Sequence, residues 1–232
     1  MVTRMTPELI LISHVTKALA LFTLVGILCR RRAHLCWSFV AYLLTLLVCH
    51  SLFSFWPEQF YTRWFWILQQ GVLDALKMGI AVELSFRTFQ AFPQAKAAAR
   101  RMLVLLLLAT SVALMGFPLR GIDDVVLLEW YPRVHTGTIW LMNGLAILIT
   151  WYRVPVHAYH KAILMGFVPY LLAFVTFVSL FRRYEWVQPV VRVAEPAALF
   201  MLMAFWAWSA WREEKQPEAS PALVQLLQPW RA

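Results

Sequence analysis

The sequence predicts an all-α, polytopic membrane protein: a seven-transmembrane helix bundle with its N-terminus outside and its C-terminus cytoplasmic. Three observations carry that reading. Of the 232 residues, 61% are hydrophobic and 14% are charged, where soluble domains carry roughly a quarter charged residues. Apolar segments recur along the chain at lengths near the roughly 20 residues that cross a 30 Å hydrocarbon core. Lys and Arg collect on one side of those segments, as the positive-inside rule requires.

The first segment, 8–28, opens at Pro7 and stops at Arg30, Arg31 and Arg32. Positive charge follows this run instead of preceding it, so it is expected to stay in the membrane and not to be a cleaved signal peptide. The second, 36–56, ends at Trp56 and Pro57, an interfacial aromatic followed by a helix breaker. The third spans 62–87. The fourth, 102–117, is the shortest and most uniformly apolar, and reads as the most lipid-exposed. The fifth, 126–151, has Pro132 near its start; the sixth, 159–181, holds Pro169 near its middle; the seventh is 189–211. The tail 212–232 is too short for a folded core of its own. Its Ser220 and Pro221 could cap a short helix lying along the membrane surface.

With the N-terminus outside, the cytoplasmic side gathers Arg30, Arg31, Arg32, Arg87, Lys96, Arg100, Arg101, Arg153, Lys161, Arg212, Lys215 and Arg231. The outer side holds Arg4, Arg63, Arg120, Arg133, Arg182, Arg183 and Arg192. The net charge of +9 is therefore an orientation signal and an attraction for anionic lipids at the cytoplasmic face. Nucleic acid is not an expected partner.

The third segment concentrates the chemistry. Gln70, Asp74 and Lys77 fall at i, i+4 and i+7 and form one polar stripe. Gly71, Ala75 and Gly79 form a small-residue stripe beside it that invites close helix packing within or between chains. An ionisable group in hydrocarbon costs at least about 2.5 kcal/mol on insertion scales, so the polar stripe is expected to face the bundle interior. Asp74 has two candidate partners, Lys77 one turn on and Lys17 of the first segment. Glu83 and Arg87 read as an ordinary helix-end ion pair.

Helix depths bring further groups to one layer. His14, His50 and His135 lie roughly 9–14 Å below the outer surface, with Lys17, Gln70, Arg192 and Glu195, while Asp74 and Asn143 lie deeper. One reading is a periplasm-facing polar cavity for a small polar or anionic ligand, built from His14, Lys17, His50, Gln70, Asp74, Lys77, His135, Asn143 and Glu195. The plainer reading is a set of interhelical hydrogen bonds that orient the helices. No cofactor is predicted; haem held by two of the three histidines is the alternative. No metal site is expected, because no segment carries HxxxH or HExxH spacing. His157 and His160 are expected at the cytoplasmic interface. Cys29, Cys36 and Cys49 are odd in number, lack CxxC spacing and read as small apolar residues at helix ends. The seventh segment has no lysine for a retinal Schiff base.

The runs YTRWFWILQQGVLDALKMGIAVELSFRTFQAFP and WYRVPVHAYHKAILMG resemble the seven-transmembrane N-terminal sensor region of bacterial histidine kinases and related stand-alone bacterial seven-helix membrane proteins. The resemblance covers about the first 180 residues and brings no ligand residues with it. It implies a signalling module of the bacterial inner membrane. The chain departs from the kinase pattern after the seventh segment, where neither a dimerisation helix nor an ATPase domain is found. The expected function is therefore that of a non-enzymatic, sensor-like or accessory (scaffold) protein that passes signals to a separate membrane or cytoplasmic partner. The alternatives are a cofactor-binding subunit of a membrane complex and a small transporter or proton path through Asp74.

Overall fold

A computed structural model describes residues 7–60, 62–90, 131–151 and 156–213. The predicted fourth segment, residues 126–130 at the head of the fifth, and the surface helix expected after Ser220 lie outside them. The described helices are α1 (Pro7–Cys29), α2 (Trp37–Phe55), a short α3 (Pro57–Phe60), α4 (Arg63–Gln90), α5 (Tyr131–Trp151), α6 (Ala158–Arg183) and α7 (Gln188–Trp211). Each long helix coincides with a predicted segment to within a few residues. Pro7 opens α1, Pro132 falls in the first turn of α5, and Pro169 and Pro196 lie inside α6 and α7.

Among the described residues, four helices are long and apolar enough to cross a membrane: Leu11–Cys29, Trp37–Phe55, Ala158–Leu180 and Glu185–Trp211. In α4 the ionic residues interrupt the apolar run, and in α5 that run is confined to Gly137–Ile147. Exposed tryptophans mark both ends of the bundle. Trp37 and Trp56 flank α2, nineteen steps and so about 28 Å apart along its axis, close to the hydrocarbon thickness. Trp208 stands at the Trp37 end of the bundle; Trp64 and Trp186 stand at the Trp56 end. Between the belts α1 exposes Leu11, Val15, Leu21, Phe22, Val25 and Leu28, a stripe at helical spacing that suits acyl chains.

The long helices neighbour one another in the order α1, α2, α4, α5, α6, α7 and back to α1, so the described part closes into a ring. Aromatic side chains fill its interior near the Trp37 end. Trp206 of α7 meets Phe39 of α2 edge-on at 4.7 Å and Phe167 of α6 at 4.6 Å, and Tyr42 meets Phe167 at 5.3 Å. Edge-to-face pairs of this kind add about 0.5–1.5 kcal/mol each beyond area burial. In lipid, where burial of apolar surface gains little, such packing is a main source of helix association.

The two tightest glycine contacts lie outside the predicted stripe. A Cβ on Gly26 would lie 2.7 Å from the Trp211 indole nitrogen, and one on Gly166 would collide with the Trp206 indole and Leu202. Of the stripe, Gly79 alone meets a neighbour, with Ser38 Oγ 3.3 Å from an added Cβ; Gly71 has open space around it and Ala75 is exposed.

The end of α1 is closed by backbone geometry. Arg31 N–H donates to Leu28 O at 3.0 Å and Arg32 N–H to Ile27 O at 2.8 Å, the paired bonds of a Schellman motif. Arg31 occupies its left-handed position with φ 52°, where a non-glycine residue costs about 1 kcal/mol.

Replacing Gly166 with Ala is expected to cost about 1–3 kcal/mol of stability through overpacking against the Trp206 indole, and so to lower the thermal midpoint in detergent. Replacing Gly71 with Ala should leave the midpoint unchanged or raise it, helix propensity adding up to about 1 kcal/mol of stability. Differential scanning fluorimetry on the two variants checks both.

Candidate functional site

Two polar assemblies stand out, one inside the ring and one at the Trp37 end. The first is built on α4. Its inner face carries Leu73, Ile80, Ala81 and Leu84 in the core, and on the same side Asp74 and Lys77 are 6% and 7% exposed. Their spacing of three residues sets Lys77 Nζ 3.0 Å from Asp74 Oδ1, so the buried charges neutralise each other within one helix turn. Asp74 thus pairs with Lys77 and not with Lys17. Tyr42, wholly buried on α2, lies within electrostatic reach of both Asp74 and Glu195. Glu195 is half-buried on the face of α7 that carries Val191, Leu202 and Trp206.

Gln70 and Asn143 are half-buried, whereas Gln69 is 6% exposed with an Oε1 that has no hydrogen-bond partner among the described residues. Sequence spacing had singled out Gln70, because it continues the stripe through Asp74 and Lys77. Tyr42 was missed because a lone tyrosine in an apolar helix carries no pattern. Four buried hydroxyls elsewhere are satisfied locally: Thr16, Thr23, Ser85 and Thr88 each donate to the carbonyl four residues back.

Nearer the Trp56 end, Lys17 Nζ donates to Ser54 Oγ, and Ser54 Oγ donates to His50 O at 2.9 Å. Lys17 of α1 thereby reaches the last turn of α2, where the negative end of the helix dipole favours a cation. His14 is exposed on the outward side of α1 and is not brought to His50, which is half-buried on α2. His135 belongs to α5, and its side chain lies outside the described ones. Among the described residues no group of three His, Cys, Asp or Glu side chains could hold a metal ion.

The second assembly surrounds the α1–α2 loop, residues 30–36. Arg32 is 8% exposed and donates through Nη1 to Ala210 O at 3.1 Å and Ser209 O at 3.4 Å, and through Nη2 to Arg212 O at 3.0 Å. Arg30 Nη2 donates to Trp211 O at 3.0 Å. These bonds satisfy the free carbonyls at the end of α7 and place positive charge at the negative pole of its dipole.

The same loop is held from the other side by α4. Glu83 Oε1 accepts from Trp37 N–H at 3.2 Å and Oε2 from Ser38 N–H at 3.0 Å, so a carboxylate from another helix caps α2. Arg87 Nη2 bridges Glu83 Oε1 at 3.1 Å and His34 O at 2.6 Å. The Glu83–Arg87 pair is more than the expected helix-end ion pair: it joins α4 to the loop. His160 was expected at the interface but is buried, its Nε2 donating to Leu35 O at 2.9 Å, while His157 Nδ1 accepts from Tyr159 N–H and caps α6.

Cys36 sits inside this assembly with its thiol 3.6 Å from Glu83 Oε2. Burial, and then the neighbouring Glu83 carboxylate, push the thiol up to about 12. Cys49 is buried and Cys29 exposed.

Two outcomes follow for measurement. In the folded protein a small maleimide should modify Cys29 alone, with Cys36 and Cys49 reacting only after unfolding, as read by intact-mass spectrometry. Asp74→Ala should destabilise the protein by about 3–5 kcal/mol by removing the carboxylate that neutralises the buried Lys77, and the double variant Asp74→Leu with Lys77→Met should recover most of that loss in thermal unfolding. No family model, no curated protein and no solved structure matches the chain.

Proposed function

We propose that the chain is a non-enzymatic, sensor-like or accessory protein of the bacterial inner membrane, with seven spans, its N-terminus outside and its C-terminus cytoplasmic. The observation that carries this reading is the Asp74–Lys77 pair, 3.0 Å long and enclosed by the ring. A buried ion pair is seldom more stable than well-packed apolar residues of the same volume, and ionisable groups inside membrane helices mark function by default. Tyr42, within electrostatic reach of Asp74 and Glu195, and Gln70, one turn before Asp74, support a wider polar layer here, to which Asn143 would belong. A ligand reaching this layer from the periplasm would compete for the pair and shift α4. Through Glu83 and Arg87, α4 is tied to the loop that also holds the end of α7. The response would therefore emerge at the basic cytoplasmic end, where a separate partner can read it. A proton path is the second reading, favoured by the burial of Tyr42 within reach of both carboxylates.

The hydrated outer layer is testable in a cysteine-free background. Gln70→Cys and Asn143→Cys should react with a membrane-impermeant thiol reagent added to intact cells. Leu68→Cys, exposed on the outer side of α4, should remain unmodified in lipid. Protection of both polar positions would remove the periplasmic cavity and leave the ion pair a structural element.

A further inference from the structure

The three consecutive arginines of the α1–α2 loop have different fates. Arg30 and Arg32 are committed to carbonyls at the end of α7. Arg31 is exposed, and among the described residues its guanidinium has no hydrogen bond or ion pair. It nevertheless holds the left-handed position of the helix-ending motif, φ 52°, which glycine ordinarily takes. A strained conformation is thus kept for a side chain that no described residue uses, and such strain points to an outside partner.

Its setting identifies the chemistry. Trp37 and Trp208 are exposed at this end and mark the level of the lipid headgroups. The Arg212 guanidinium lies 4.9 Å from the centre of the Trp208 ring, and Arg32 holds the Arg212 carbonyl, which brings Arg212 to the same loop. Toward the membrane interior α1 exposes Leu21, Phe22, Val25 and Leu28, a surface fit for acyl chains. The acid described next to these cations, Glu213, is exposed and joins no ion pair with them. Guanidinium groups grip phosphate oxygens two at a time, and cations beside a membrane surface attract anionic lipid.

We propose that Arg31 and Arg212 form a binding site for the phosphate of an anionic phospholipid at the α1–α7 edge of the bundle. The site rests on the membrane reading of the helices and not on the sensor or proton-path readings. Because glycine suits the backbone at position 31, Arg31→Gly removes the cation without endangering the fold.

The full chain and its Arg31→Gly variant are reconstituted in nanodiscs of phosphatidylcholine, with or without phosphatidylglycerol, and their thermal unfolding is compared. Phosphatidylglycerol should raise the midpoint of the native protein. Arg31→Gly should be at least as stable in phosphatidylcholine alone, yet keep less than half of the phosphatidylglycerol gain. Native mass spectrometry should show fewer phosphatidylglycerol molecules retained by the variant. A full gain in Arg31→Gly, or no gain in the native protein, overturns the site. Inorganic phosphate reproducing the gain in phosphatidylcholine overturns the assignment to a lipid. Failure of the native protein to enter either nanodisc would strike the membrane reading itself.

Discussion

The bundle depends on satisfying helix ends where water is scarce. Four carbonyls at the end of a helix and four N–H groups at its start have no partner inside it, and near a membrane each one left bare costs several kcal/mol. Here the α1–α2 loop resolves both problems with charged side chains. Arg30 and Arg32 meet the carbonyls that end α7, and Glu83 meets the N–H groups that start α2. Charge-assisted bonds are short and strong, and each charge sits at the pole of the helix dipole that favours it. The loop thereby fixes α1, α2, α4 and α7 at one level, with His160 adding α6.

Given that clamp, the interior can tolerate charge. Lys77 and Asp74 meet within one turn of α4, so the two buried charges are matched inside a single helix. The aromatic cluster of Phe39, Tyr42, Phe167 and Trp206 separates the pair from the clamp and gives the ring a solid floor. The two polar assemblies are joined through α4, which carries Asp74 and Lys77 in its middle and Glu83 and Arg87 near its end. A displacement of that one helix touches both.

Local signals made the fold legible. Apolar run length, Pro7 and Pro57, the arginine stop and the flanking tryptophans gave helix limits close to those observed, since each acts through its own neighbours. The polar stripe of α4 was equally readable, because helical periodicity alone puts Asp74 and Lys77 side by side. What stayed hidden depends on pairs distant in sequence. Nothing near Glu83 reveals that it caps a helix beginning more than forty residues earlier, and Arg32 is written as a topogenic charge although it is bonded to the other end of the chain. The close glycine contacts show the same limit: spacing picks out Gly71, Ala75 and Gly79, but it does not reveal that the large side chains Trp206 and Trp211 stand opposite Gly166 and Gly26.

The tie between Arg32 and Ala210 spans 178 positions, and this separation bears on how the protein is made. The first helix leaves the ribosome long before the carbonyls it must grip have been synthesised. Until then Arg32 lacks the acceptors that the end of α7 supplies, and α1 lacks its most extensive neighbour. Biogenesis must therefore shelter α1 at the insertion machinery or in a loose early arrangement, and ring closure becomes a late, chain-length-dependent event. Polypeptides released before Trp211 would carry an open seam between α1 and α6, giving membrane quality control a physical feature by which to tell unfinished molecules from finished ones.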